Sequence, residues 1–193
     1  MMDFKDHFER VWKVFTNFLP AMLINTLVLI GVSIITLGIL QPVAAAGYTQ
    51  SLLLALRDRR KPEVRDLFSY MGLFWPLLGF SVLLFLAIII GLIFLFLPGI
   101  VVALTATFFC LYMLPLMTDR GMGLIDAIME SYRLAMEKPV IDHLVVVAIY
   151  IGLISMGQSV IFGVLFTLPL ATLFILSAYE VKVRKALPSP PGT

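Results

Sequence analysis

Charge along this chain is confined to a few short segments, separated by long runs that contain none. Three stretches hold no Asp, Glu, Lys, Arg or His: Val14–Leu56, Leu67–Thr118 and Leu144–Tyr179, of 43, 52 and 36 residues. About 20 apolar residues in a helix cross the roughly 30 Å of a bilayer's hydrocarbon, so each stretch is too long for one crossing and near the length of two. The runs are continuously apolar, with Leu, Ile, Val and Phe on every face and no period-two alternation, which predicts helices rather than a barrel.

Each stretch has a reversal signal near its middle: Gly38 to Pro42, Leu97-Pro98-Gly99, and the span from Gly157 to Pro169. Proline lacks an amide donor and biases the residue before it away from helix. The pattern predicts an all-α, polytopic membrane helix bundle of six membrane segments, arranged as three helical hairpins. The third stretch is short for two crossings, so five or fewer full spans, with a re-entrant last hairpin, is the alternative.

The charged segments carry a different period. Phe8, Val11, Trp12, Phe15 and Phe18 share one helical face, with Asp3, Asp6, Glu9, Arg10 and Lys13 on the other. Ile125, Ile128, Met129, Tyr132 and Met136 repeat that pattern opposite Asp126, Glu130, Arg133 and Glu137, and a shorter version runs through Val64, Leu67, Phe68 and Met71. Such amphipathic helices suit the headgroup boundary, one before each hairpin. The expected organisation is a single membrane domain over 1–185, with hairpins at about 19–56, 72–118 and 144–180 and interfacial helices at about 3–18, 63–71 and 121–138. The tail 186–193 is expected to be flexible.

Proline spacing supports an internal repeat. Pro20 and Pro76 are 56 residues apart, as are Pro42 and Pro98, whereas Pro139 and Pro169 follow at 63 and 71. The first two units match more closely than the third.

Composition agrees with a lipid-embedded chain: 61% hydrophobic, 13% charged, mean hydropathy +1.03 over 193 residues. With an even number of spans, all charge falls on one face. Arg57, Arg59, Arg60, Lys61 and Arg65, with Lys182, Arg184 and Lys185, make that face cytoplasmic by the positive-inside rule. Both termini are then cytoplasmic, in a multi-pass protein whose first apolar segment is retained rather than removed as a leader.

The loop after the first hairpin holds five basic and three acidic residues, so Arg57, Arg59, Arg60, Lys61 and Arg65 are candidates for lipid-headgroup contact. The segment Asp119 to His143 holds three basic and five acidic residues and suits a protein contact. Rows of small residues at four-residue spacing, Gly47/Ser51/Ala55 and Ser155/Ser159/Gly163, predict close helix packing, mostly within the monomer, and also allow a homo-oligomer. Neutral polar side chains cluster at Tyr48 to Ser51 and at Gln158-Ser159, where packing is the plainer reading and a lined cavity the sharper one.

Catalytic chemistry finds little material. His7 and His143 are far apart in sequence, Asp142 and His143 are helix neighbours that do not face each other, and Cys110 lies alone inside the second hairpin. No catalytic residue, cofactor, metal or nucleic-acid partner is expected. Charged groups are also missing from every expected span, against the habit of ion-coupled carriers.

The run Leu97-Pro98-Gly99-Ile100, the apolar helix ending at Asp119, then Gly123, Ala127-Ile128, Ser131 and Met136 resemble a pattern in YciC-like bacterial integral membrane proteins. It is also similar to the membrane domain attached to some glycerophosphodiester phosphodiesterases. The resemblance implies a multi-helix protein of the bacterial inner membrane, with Pro98-Gly99 as a hairpin turn. It implies no phosphodiesterase activity, since no such catalytic domain is present. Function is expected to be non-enzymatic, organising membrane lipid or docking a partner at the cytoplasmic face. The alternative is a channel or carrier for a neutral or lipidic solute.

Overall fold

The computed structural model describes residues 4–95, 97–159 and 162–186, and among them it is helical with no strand. Eight α-helices follow one another: α1 (Phe4–Ile35), α2 (Gln41–Asp58), α3 (Phe74–Leu95), α4 (Leu97–Cys110), α5 (Met113–Asp119), α6 (Leu124–Met136), α7 (Val140–Gln158) and α8 (Gly163–Ala186). Ala186 ends α8, and the rest of the expected flexible tail lies outside the described residues.

Among the described residues five segments are long and apolar enough to cross a membrane: His7–Ile35, Val64–Phe94, Leu97–Asp119, Val140–Gln158 and Gly163–Val183. The molecule is thus a helical membrane bundle, with α1 packed on α2, α3 on α4, and α7 on α8. The exception among the long helices is α2. Its small and polar residues keep it below the apolarity of the others, yet Val43, Ala44, Ala46, Gly47 and Tyr48 through Leu53 are all buried. A helix enclosed by protein on most sides does not need an oily surface.

The first expected interfacial helix is continuous with the first apolar segment. Both lie in α1, which leaves helical geometry at Phe18 (φ −114°, ψ 16°), two residues before Pro20. Proline removes one backbone donor and crowds the carbonyl four residues earlier, so the distortion falls just ahead of it. The predicted stripe is split by packing: Val11 and Phe15 enter the core, while Phe8 and Trp12 remain about half exposed.

Between α1 and α2 the chain reverses with Leu37 and Gly38 both at positive φ (51° and 82°), a geometry glycine adopts without strain. The segment expected as a short interfacial helix at 63–71 forms two 3₁₀ turns instead, Val64–Phe68 and Met71–Leu73. Glu63 and Asp66 close a reciprocal capping box around the first of these turns.

Pro98 and Gly99 lie in the first turn of α4, not between the helices. Proline is well tolerated at the start of a helix because its missing amide would be unpaired there anyway. A Cβ on Gly91 would stand 2.7 Å from the Gly99 amide nitrogen, so the two backbones touch. Most of α3 faces away from the core, with Leu83, Phe85, Ile93 and Phe94 all more than 60% exposed.

Candidate functional site

The site starts from α2, whose small residues let other segments reach its backbone. A Cβ on Gly47 would clash with the Asp66 carbonyl oxygen and stand 2.6 Å from that of Leu67. The 3₁₀ turn Val64–Phe68 therefore sits directly on the row Gly47, Ser51 and Ala55. Ser51 Oγ donates to Asp66 Oδ2 at 2.7 Å, and Ala55 is fully buried. Neighbouring side chains of α2 reach other helices: Tyr48 Oη and Thr26 Oγ1 share a hydrogen bond of 2.8 Å, and Thr118 Oγ1 donates to Gln50 Oε1 at 2.9 Å.

The other small-residue row behaves differently. Ser155 and Ser159 are exposed, and Gly163 begins the next helix, so the three do not form one face. A four-residue spacing places residues together only while the helix continues, and α7 ends at Gln158. The close approach between α7 and α8 is made by Gly157, where a Cβ would collide with Thr167. Gln158 is exposed beside Ser159 and lines no cavity among those described below.

The three long uncharged stretches end at Arg57, Asp119 and Glu180, and these residues meet. Arg57 grips Asp119 with two parallel bonds, Nη1 to Oδ1 at 2.7 Å and Nη2 to Oδ2 at 3.1 Å, and its Nε donates to Glu180 Oε1 at 3.1 Å. Arg10 Nη2 lies 2.6 Å from Glu180 Oε2 and donates to the Leu56 carbonyl at 3.2 Å. Tyr179 Oη donates to Asp119 Oδ2 at 3.1 Å, and Arg120 Nε is 3.7 Å from the same oxygen.

This network ties α1, α2, α5 and α8 together at the charged end of the bundle. The Asp119 and Glu180 side chains are only 4% and 3% exposed. Such carboxylates need partners, because an uncompensated buried charge is costly. The hydrogen bonds to Asp119 raise the pKa of Arg57 above its ordinary value, although partial burial opposes this, so the guanidinium stays charged.

Of the five basic residues expected at lipid headgroups, the structure turns two inward. Arg57 enters the network, and Arg60 pairs with Asp66 on the 3₁₀ turn. Arg65 pairs with Glu63 at 2.5 Å on the exposed surface. Arg59 and Lys61 have no carboxylate partner among the described residues. The expected single patch is thus divided, because Arg57 and Arg60 turn to buried acids while Arg65 pairs with exposed Glu63.

A second polar cluster centres on His143, which the sequence places at an interface and the structure buries completely. Its Nε2 lies 2.8 Å from the Phe108 carbonyl, which can only accept, so that nitrogen carries a proton. Its Nδ1 is 3.2 Å from Tyr112 Oη. Lys182 donates to the Leu134 carbonyl and lies 5.9 Å from the centroid of the Tyr112 ring. The helical break at Leu111 and Tyr112 is bridged by Ser131, which accepts from the Tyr112 amide at 3.1 Å and donates to the Phe109 carbonyl at 2.6 Å. These contacts weld α4, α5, α6, α7 and α8, and the Asp142-His143 neighbours form no pair with each other.

Halfway along the bundle, between α2, α4, α5, α7 and α8, lies a cavity of about 240 Å³. Thr49, Thr107, Cys110, Tyr150 and Thr172 are its polar lining, and among the described residues no charged side chain borders it. The threonine hydroxyls each donate to the carbonyl four residues earlier, at 2.8 to 2.9 Å, which leaves their lone pairs available. Its chemistry is neutral and weakly polar. Among the described residues no group of three His, Cys, Asp or Glu side chains could hold a metal ion.

The exposed face of α6 completes the charged end. Ala127, Ser131, Leu134 and Ala135 pack inward, while Ile125, Met129, Tyr132 and Met136 point outward. Small residues allow α6 to lie close to the bundle, leaving its larger apolar stripe uncovered by protein. No family model, curated protein or solved structure matches the chain.

Proposed function

We propose that this chain is a non-enzymatic protein of the bacterial inner membrane that organises lipid, or docks a partner, through its cytoplasmic face. In this reading α2 is a sixth membrane segment, packed against α1, α3, α5 and α8, and the charged end with both termini is cytoplasmic. Kinship with YciC-like membrane proteins belongs to the same proposal. The observation that carries it is the charged end itself. Buried ion pairs close it internally, while the apolar stripe of α6, exposed Phe8 and Trp12, and the unpaired cations Arg59 and Lys61 face outward around its rim. A closed centre with an amphipathic rim suits contact with headgroups better than passage of a solute.

The test is extraction of the full chain in native lipid, followed by lipid analysis and identification of co-purifying proteins. Enrichment of a lipid class over the bulk membrane, or reproducible recovery of a partner, is expected. Neither result, together with protein-dependent solute flux in reconstituted vesicles, would sink the proposal.

The mid-depth cavity favours a second reading, a carrier for a neutral or lipidic solute. Its neutral lining and lack of a buried charge fit a substrate that carries no charge into the membrane interior. Vesicles showing neither flux nor lipid exchange across candidate solutes would count against it.

A further inference from the structure

The outward cations are not spread evenly around the rim. Arg10, Lys13 and Arg59 converge, with Asn17, on a crevice of about 60 Å³ between α1 and the end of α2. Phe18 and Leu56 form its apolar wall. Phe18 is the point where α1 leaves helical geometry, and Arg59 adopts a left-handed conformation (φ 54°) just past α2. Both departures from regular helix therefore border the crevice.

From these features we infer that the crevice binds the phosphate of an anionic phospholipid in the cytoplasmic leaflet. Lys13 and Arg59 have no carboxylate partner among the described residues, so their charge is available to a ligand. Arg10 is held in place by Glu180 and the Leu56 carbonyl. That leaves it a fixed donor at the back of the site, while Lys13 and Arg59 are the adjustable ones. Lysine acts on phosphate as a point charge and arginine as a fork, so the two together suit a tetrahedral anion.

The carbonyl end of α2 would by itself repel an anion. Here two of its carbonyls are already engaged, which weakens that repulsion: Leu56 O by Arg10, and Leu54 O by the backbone amides of Arg59 and Arg60. Asn17 adds a neutral amide that can donate to a phosphate oxygen. The apolar wall marks the depth. Val14, which begins the first uncharged stretch, and Leu56, which ends it, both line the crevice. A phosphate held by the cations would thus have its glycerol and acyl chains against Phe18 and the lipid-facing side of α1.

This assignment rests on the lipid-organising reading, which it makes specific. The test uses the purified full chain in neutral detergent, titrated with phosphatidylglycerol, phosphatidylcholine or inorganic phosphate and followed by native mass spectrometry. The wild-type chain should prefer phosphatidylglycerol. Replacing both free cations, Lys13→Gln with Arg59→Gln, should lower that preference by about 25-fold, near fivefold for each cation. Lys61→Gln with Arg65→Gln, rim cations outside the crevice, should lower it by less than about fivefold, and unchanged thermal unfolding would establish that both variants fold.

If the preference instead disappears with Lys61 and Arg65 and survives loss of Lys13 and Arg59, the crevice assignment is overturned while the lipid-organising reading stands. If the wild-type chain shows no preference between the two lipids, both fail. Inorganic phosphate binding more tightly than the lipid would assign the crevice to a soluble anion and overturn the headgroup assignment.

Discussion

Arg57 holds its guanidinium between two carboxylates that are almost fully buried, and removing one member of such a set costs far more than the set contributes. Arg57→Met should therefore destabilise the protein by about 3–5 kcal/mol, by leaving Asp119 and Glu180 under-compensated. Arg133→Ala breaks the exposed pair with Glu130 and should cost less than about 1 kcal/mol. Thermal unfolding in one detergent compares them, and equal losses would mean that the network is not structural. The basic run from Arg57 to Arg65 was legible in the sequence, but its division was not. That Arg57 turns inward depends on Asp119 and Glu180, which lie 62 and 123 residues away. One signal was present: each of these three residues is the first charge after a long apolar stretch. Charges at such boundaries emerge at the same depth and are placed to meet. For His143 no comparable signal exists, since its burial depends on Tyr112 and Phe108 in another helix.

At the scale of elements, the row Gly47, Ser51 and Ala55 was readable from spacing, whereas its occupant was not. The expectation was a neighbouring backbone in close approach, without saying which, and the 3₁₀ turn over Val64–Phe68 lies there. Only a glycine allows that turn's carbonyls to approach α2 so closely. Gly47→Ala should destabilise by about 1–3 kcal/mol through overpacking against backbone that cannot move aside. Gly152→Ala, where nothing lies within 4 Å of the added carbon, should be neutral or slightly stabilising. Chemical or thermal unfolding distinguishes the two, and a neutral Gly47→Ala would show that the turn is not seated on α2. The amphipathic period of α6 was visible in the sequence, but which of its faces packs was not. Ala127, Ser131 and Ala135 lie inward because close approach to the α4–α5 break requires small side chains there, and Ser131 bridges that break.

For the whole molecule, the distribution of charge carried most of what the sequence could say. It marked the apolar stretches, and five helices long and apolar enough to cross a membrane lie within or across them. α2 was hidden from any measure of apolarity because its surface is covered by protein, so Ala, Gly, Ser and Gln can replace Leu and Ile there. Its place in the count came only from the length of the Val14–Leu56 stretch, which is too long for one crossing. Of the mid-depth cavity only Thr49, in the Tyr48 to Ser51 cluster, left a mark in the sequence, because the rest of the lining depends on how α2, α4, α5, α7 and α8 come together and not on any motif.

The central claim is that the ionic clasp closes a cytoplasmic end and that the three uncharged reversals face the other side. Single cysteines placed at Gly38, Pro98 and Gly163 in a Cys110→Ala background, with further ones at Lys61 and Gly121, test it by labelling intact cells with a membrane-impermeant thiol reagent. The account predicts labelling at Gly38, Pro98 and Gly163, and protection at Lys61 and Gly121 until the membrane is opened. Labelling of Lys61 or Gly121 in intact cells, or protection of Gly38, would contradict it.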